Sequence, residues 1–450
     1  MDVLNVVWAL LEESRMSTAE HPARWSERLL APFAKVRPGE AGLVVLMTTT
    51  VFLILCAYYV LKTTREGLIL AGGMLGLRGD ELKIYASGAM ALLFAAIVPA
   101  YGALANRVRR IALINVSYAL VLGCLIVFFV LGRAGVGVGL AFYVWLGLVN
   151  MFLIAQFWSY ANDIYTEEQG KRLFAIIAIG GSLGAIVGPK LTDLADTFTL
   201  MLVAGGLLIA CLLLFNLIDR AKGPDTPMSV EGDAPIDGPG GFALVMRDRY
   251  LLLIALMLLV TNLVNSTGEF LLSRAASDYA AGVASTEEAR REVIKAFYAD
   301  FFFWVNLIGF LIQAFVVSRA IKWLGVRGAL FVLPFVVLGV YGSIALIGGL
   351  ALTRVAKIGE NATDYSLQNT VRQALFLPTS RAAKYKAKAA IDTFFVRFGD
   401  TLSAVLVGIG LHSLGLGVQG LALANVGLVV IWFAIAVGIA RRHRRIGAHA

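Results

Sequence analysis

Charge is what this sequence has least of. Only 15% of its 450 residues are charged, against 59% hydrophobic, whereas a soluble globular chain carries about 25% charged and 45 to 50% apolar residues. That deficit excludes an ordinary soluble domain and points to a polytopic membrane protein. Histidine is reduced to four residues and cysteine to three. Cys56, Cys124 and Cys211 all fall in apolar runs without metal-ligand spacing, so neither a disulfide framework nor a zinc site is expected. There is no G-x-x-x-x-G-K-[ST] phosphate loop and no H-E-x-x-H, and His412 is the one histidine near an apolar run. ATP hydrolysis by a phosphate loop is therefore excluded, and the sequence points to no enzyme, metal or cofactor. The net charge of +9 does not call for nucleic acid, because membrane proteins gather Lys and Arg on cytoplasmic loops.

What is abundant is long apolar runs. A spanning helix needs about 20 mainly apolar residues, and such runs occupy 40–61, 82–104, 111–131, 138–160, 172–194, 197–219, 249–271, 297–318, 328–349, 353–375, 390–412 and 417–439. The expected fold is an all-α polytopic membrane protein of about twelve transmembrane helices in two six-helix halves. Residues 1–38 read as a cytoplasmic, partly amphipathic amino-terminal segment, 39–220 as the first half and 221–246 as a cytoplasmic linker. Residues 247–440 read as the second half and 441–450 as a basic cytoplasmic tail. The linker assignment rests on the Pro, Gly and Asp of 221–241. Val3–Leu11 is too short to span and lacks a basic flank, which argues against a cleaved signal. Roughly two thirds of the Lys and Arg residues lie on the side of the two termini, which predicts both termini cytoplasmic.

Against this apolar background the charges inside the runs stand out. In Tyr58–Leu70 (Y-Y-V-L-K-T-T-R-E-G-L-I-L), Lys62, Arg65 and Glu66 are spaced i, i+3, i+4 and share a helix face. They either point into a polar interior or sit at the end of the span and reach the headgroups. Ile179–Leu191 places Gly180, Gly184 and Gly188 every four residues, a smooth strip for close helix contact, followed by the kink-favouring Pro189 and by Lys190. The seventh run carries Asn262, Asn265 and Glu269 as one polar stripe. Polar groups also recur in the eighth run (Asp300, Asn306, Gln313), the tenth (Glu360, Asp364, Gln368, Arg372) and the eleventh (Asp392, Arg397, Asp400). Arg397 and Asp400 are spaced to pair with each other.

Two basic loops, Gly102–Arg110 and Ser318–Gly328, follow the second span of each half. With the linker between the halves they resemble the major facilitator superfamily, although Asn106 stands where its loop motif has Asp. Several segments together resemble the ATP/ADP translocase-like nucleotide transporters of bacteria and plastids. These are Tyr58–Leu70, F-W-S-Y-A-N at Phe157–Asn162, D-Y-S-L-Q-N-T-V-R-Q-A-L-F-L-P at Asp364–Pro378 and K-Y-K-A-K-A-A-I-D at Lys384–Asp392. Departures are Asn369, Thr370 and Gln373 in place of the Asp, Pro and Glu of D-P-T-K-E, and Asn265 where the family's seventh span has Glu, with Glu269 one turn on.

The resemblance implies a secondary transporter working by alternating access, moving an anionic phosphorylated solute such as a nucleotide by exchange. Lys62, Arg65, Lys190, Glu269, Arg372 and Arg397 are the expected substrate-binding residues, and Glu66, Asp300, Asp392 and Asp400 the expected coupling or gating carboxylates. Expected partners are a small anionic solute and the lipid bilayer, the protein acting as a monomer in a bacterial cytoplasmic membrane. The alternatives are a proton-coupled transporter of another organic anion, or a lipid-handling or sensory membrane module that transports nothing.

Overall fold

The computed structural model describes residues 37, 40–74, 76–105, 109–221, 240–380 and 383–447. The amphipathic amino-terminal segment except Arg37, Asn106 of the first basic loop and residues 222–239 of the linker lie outside the described residues. Where it is described, the chain is almost wholly helical. The major helices are α1 (Ala41–Ala71), α2 (Gly79–Ala105), α3 (Arg110–Arg133), α4 (Gly139–Ile164), α5 (Glu167–Lys190) and α6 (Thr199–Ala221). They continue as α7 (Arg249–Val283), α8 (Glu287–Leu311), α9 (Val332–Leu346), α10 (Leu350–Thr363), α11 (Val396–Gly408) and α12 (Val418–Gly447). A two-stranded antiparallel ribbon, Gly73–Met74 with Leu77–Arg78, joins α1 to α2.

Local chemistry sets several ends. α5 begins at a capping box in which Thr166 and Gln169 satisfy each other's backbone N–H groups. At the start of α7 the Asp248 carboxylate accepts from the Tyr250 N–H at 2.7 Å. Between α9 and α10 the backbone turns through Gly348 and Gly349, at φ 70° and 90°, a conformation that glycine adopts without a Cβ clash.

Among the described residues, nine helices are long and apolar enough to cross a membrane. The expected spans 82–104, 328–349 and 353–375 correspond to α2, to α9, and to α10 continued by Asn369–Leu375. α9 is an apolar helix of only 15 residues. The run through α10 is broken by a π turn at Asp364–Gln368 and carries Arg354, Lys357, Glu360, Asp364 and Arg372. The first span also needs correction: it does not end at 61 but runs to Ala71. Lys62 thus has nine further residues of helix after it, about 14 Å at 1.5 Å per residue.

The outward faces suit lipid, with Val116, Leu120, Val127 and Val130 of α3 exposed along the helix. The protein is an integral membrane protein.

The chain divides into two compact units. Unit 1 is Met1–Arg65, Ala100–Val138 and Trp145–Ala234; unit 2 is Glu66–Pro99, Gly139–Val144 and Pro235–Ala450. In unit 1 the glycine strip of α5 lies against α1. A Cβ on Gly180, Gly184 or Gly188 would stand 2.4, 2.2 and 2.6 Å from the carbonyl oxygens of Thr48, Phe52 and Cys56. Only glycine permits that approach. Phe215 on α6 gathers Tyr118, Phe157 and Tyr160 in edge-to-face contacts, and Asn115 and Asn216 exchange hydrogen bonds between α3 and α6.

Unit 2 is centred on α7. Its Ile254, Leu258 and Val264, with Val337 and Ile344 of α9 and Val429 and Trp432 of α12, belong to one buried apolar cluster. α8 continues through a π turn at Ile312–Val316 into the helix Val317–Ala329, and α11 follows another at Ile391–Phe395. π turns recur at functional sites in helices.

Candidate functional site

The candidate site in unit 2 is a row of buried and half-buried polar groups hung on α7. Residues 262, 265, 266, 269, 273 and 274 present amide, hydroxyl and charged side chains over about 18 Å of helix. Their neighbours come from α2, α8, α10 and α11.

At one end of the row, α11 meets α7 through Asp400, which is only 6% exposed. Its Oδ1 accepts from Asn262 Nδ2 at 2.7 Å and from Ser266 Oγ at 2.6 Å, and Arg397 approaches Oδ2 at 3.4 Å. The Arg397 guanidinium lies over the Phe94 ring, 4.5 Å from its centroid. A Cβ on Gly399 would stand 2.7 Å from the Leu259 oxygen, so that glycine lets α11 sit close enough for these bonds.

The middle of the row is a second cluster. Lys357 of α10 is completely buried, and its Nζ lies 3.0 Å from Asn265 Oδ1, 3.1 Å from Glu360 Oε1 and 3.6 Å from Glu269 Oε1. Asn361 donates to Glu269 at 2.9 Å, and Tyr341 of α9 lies 3.1 Å from both Glu360 oxygens. Gly268 is required here, since a Cβ there would collide with the Tyr341 hydroxyl. An ammonium removed from water survives only where carboxylates and hydrogen-bond acceptors replace its hydration.

Toward the far end of the row, Lys83 of α2 pairs with Glu66 at 2.7 Å and donates to Ser273 at 2.8 Å, with the Tyr298 ring centroid 5.1 Å away. Beyond it, Arg274 bridges Asp80 at 2.8 Å and Glu81 at 3.2 Å, while Arg78 joins Asp80 at 3.1 Å and also Asp278. Burial works against the Arg78 cation, but Asp278 and Asp80 more than offset it and raise its pKa. Asp80 and Glu81 stand in the first turn of α2, where the helix dipole favours anions.

The expected site residues distribute unevenly over these clusters. Glu269 and Asp400 lie in the row, and Glu66 meets Lys83 there. Asp300 pairs with Arg354, Arg372 bonds Asn369 at 3.0 Å, and Asp392 is half-buried with one oxygen enclosed. In unit 1, Lys62 lies 5.1 Å from the Tyr59 ring centroid, Arg65 is buried, and Lys190 is exposed at the last residue of α5. Lys83, Lys357 and Tyr341 were not among the expected residues. For Lys357 a signal was present, since it lies i, i+3 from Glu360 inside an apolar run, the spacing of an intramembrane ion pair. Lys83 stands so near the start of its run that it reads as an anchor.

No protein-family model matches the chain. In sequence it is similar to ADP,ATP carrier protein 1 of Chlamydia trachomatis, with 24% identity over 341 residues, covering 64% of this chain and 62% of that protein. ADP,ATP carrier protein 3 of Rickettsia felis matches at 20% over 302 residues, covering 56% and 58%. The chain spans less than two thirds of the length of the curated relatives it matches, 62%, 65% and 63% of the chlamydial proteins. Among solved structures, a POT family transporter in complex with 5-aminolevulinic acid superposes with a TM-score of 0.63 at 13% identity, covering 90% of this chain and 96% of that one. The nucleoside transporter NupG superposes at 0.57 with 14% identity, covering 90% and 98%. A bacterial homolog of the human lysosomal transporter Spinster gives 0.59 at 14%, covering 91% and 99%. The fold is that of the major facilitator transporters.

Proposed function

We propose that the protein is a secondary transporter that moves an anionic phosphorylated solute, such as a nucleotide, by exchange. The observation that carries this reading is the row of intramembrane ion pairs in a chain similar to ADP,ATP carriers. Charges held inside membrane helices are costly and mark a solute or ion pathway. Lys62 and Arg65 match cations of the translocase-like pattern, and with Lys190, Arg372 and Arg397 they supply the positive charge that selects an anion. Arg offers forked contacts to phosphate and Lys a point charge. Glu66, Glu269, Asp300, Asp392 and Asp400 neutralise cations while the site is empty, and the two halves, 39–220 and 247–440, rock about the bound solute.

In this reading the protein catalyses no chemical step and works as a monomer in a bacterial cytoplasmic membrane. Both termini face the cytoplasm, as the distribution of Lys and Arg favours. The test is uptake of labelled ATP, ADP and other phosphorylated anions into liposomes that carry the full chain, with and without internal nucleotide. Accumulation that requires preloading is expected. An absence of saturable flux of every phosphorylated anion overturns the proposal.

A further inference from the structure

At the Tyr341 hydroxyl beside Glu360, hydrogens fall short of acceptors. The Tyr341 hydroxyl has one hydrogen and three acceptors within reach: Glu360 Oε1 and Oε2, each at 3.1 Å, and the Val264 carbonyl at 3.2 Å. If Glu360 is ionised, Tyr341 donates to it and turns lone pairs toward the Val264 oxygen. If Glu360 carries a proton, that proton bonds the tyrosine oxygen and Tyr341 donates to Val264. Asn425 Nδ2 donates to the same carbonyl at 3.1 Å and is compatible with both arrangements, because a carbonyl oxygen has two lone pairs.

Lys357 gives the two arrangements comparable standing. Its ammonium is 3.1 Å from Glu360 but also 3.6 Å from Glu269 and 3.0 Å from Asn265. When it leans to Glu360 it holds that carboxylate charged; when it leans to Glu269 the fully enclosed Glu360 is left to a hydroxyl. A buried carboxyl without a cation binds a proton. We propose that Glu360 is a proton-binding site inside the membrane, with Tyr341 its hydrogen-bond relay and Lys357 the movable cation that decides whether the proton stays.

The surrounding elements bring few other titratable groups. α7 presents Glu269, and α9 presents Tyr341. α8 brings Tyr298, bonded to Ser273, and Asp300, which pairs with Arg354 of α10. α2 brings Lys83, paired with Glu66. α12 contributes the uncharged Asn425, and Asp364 stands one turn further along the chain from Glu360. A sodium ion does not fit beside the Lys357 ammonium, since both would compete for the same oxygens.

This site goes beyond solute exchange and is testable without a known solute. The full-length protein in liposomes is followed by infrared difference spectroscopy while the pH is raised. A protonated-carboxyl C=O band is expected to disappear on titration and to be absent in Glu360→Gln. Tyr341→Phe should keep the band but shift its frequency. Glu269→Gln, which confines Lys357 to Glu360, should move the loss of the band to lower pH, by about one to three units for an adjacent cation. Replacing potassium by sodium should leave the midpoint unchanged.

A band that survives Glu360→Gln, no band in the wild type, a sodium-dependent midpoint, or a Glu269→Gln shift to higher pH overturns the proposal. Nucleotide exchange without the band leaves the transport reading standing and removes this one. The band without any flux does the reverse.

Discussion

Replacing Lys357 by methionine tests whether the central cluster behaves as a buried ion site. Methionine is unbranched and of similar length, so the change removes the charge with little loss of volume. It deletes the contacts to Asn265 at 3.0 Å, Glu360 at 3.1 Å and Glu269 at 3.6 Å. Glu360 is then left to the Tyr341 hydroxyl. Breaking a buried ion pair from one side costs about 3 to 5 kcal/mol, because the remaining charge stays out of water. The expected loss for Lys357→Met is of that size, measured by reversible unfolding in mixed detergent micelles at alkaline pH. Lys357→Met combined with Glu360→Gln removes the nearer charge as well. Glu269 is less enclosed, at 26% side-chain exposure, and keeps the Asn361 donor at 2.9 Å, so the double variant should recover at least half of the loss. The cost of the single variant should also shrink as the pH falls, since protonation neutralises the carboxylates left behind. A single-variant loss within about 1 kcal/mol, the range of exposed pairs, or a double variant as unstable as the single, refutes the reasoning.

Three further predictions rest on other parts of the molecule. Gly184→Ala places a Cβ 2.2 Å from the Phe52 oxygen, whereas ordinary contact begins at 3.4 Å; overpacking of this kind should cost about 1 to 3 kcal/mol. Gly206→Ala, with nothing within 4 Å, is the control and should be neutral or better in the same unfolding assay. Burial pushes the Glu40 carboxyl up, but Arg172 at 2.8 Å, the Arg37 N–H and Gln169 outweigh it and hold its pKa below the ordinary 4.5. The contribution of Glu40 to stability is therefore present above pH 4.5 and lost as the pH falls through the depressed value; Glu40→Gln should flatten that part of the melting-temperature profile, and an unchanged profile counts against the pairing. Finally, Lys62→Gln and Arg65→Gln should each cut nucleotide exchange in liposomes about tenfold or more, equivalent to ~1.4 kcal/mol of binding per tenfold. Wild-type exchange by both, in folded protein, would assign these cations to anchoring.

How far the site was legible from the residues alone depends on the kind of contact. The stripe Asn262, Asn265 and Glu269 could be read because helix spacing places those residues on one face whatever surrounds them. The partners of that stripe could not. Asp400 meets Asn262 from 138 positions away, and Lys357 meets Asn265 from 92, separations that no local pattern encodes. The glycine strip of α5 was visible as a four-residue repeat, yet only the packed helices show that α1 is what it admits. The π turn at Asp364–Gln368 left no periodic signature, since a single extra residue in one turn shifts the helix face without altering composition.

The sequence by itself determined that this is a membrane protein of many helices, because apolar run length and bilayer thickness decide that without reference to packing. It also determined which charges lie within or next to those runs, while the structure carried the first helix on past Lys62, Arg65 and Glu66 to Ala71. Only the tertiary structure decided which charges neutralise one another. Glu66 pairs with Lys83 of the next helix, and Lys357 is divided between Glu360 and Glu269. Electrostatic interaction falls with distance in space, not along the chain, and burial multiplies it.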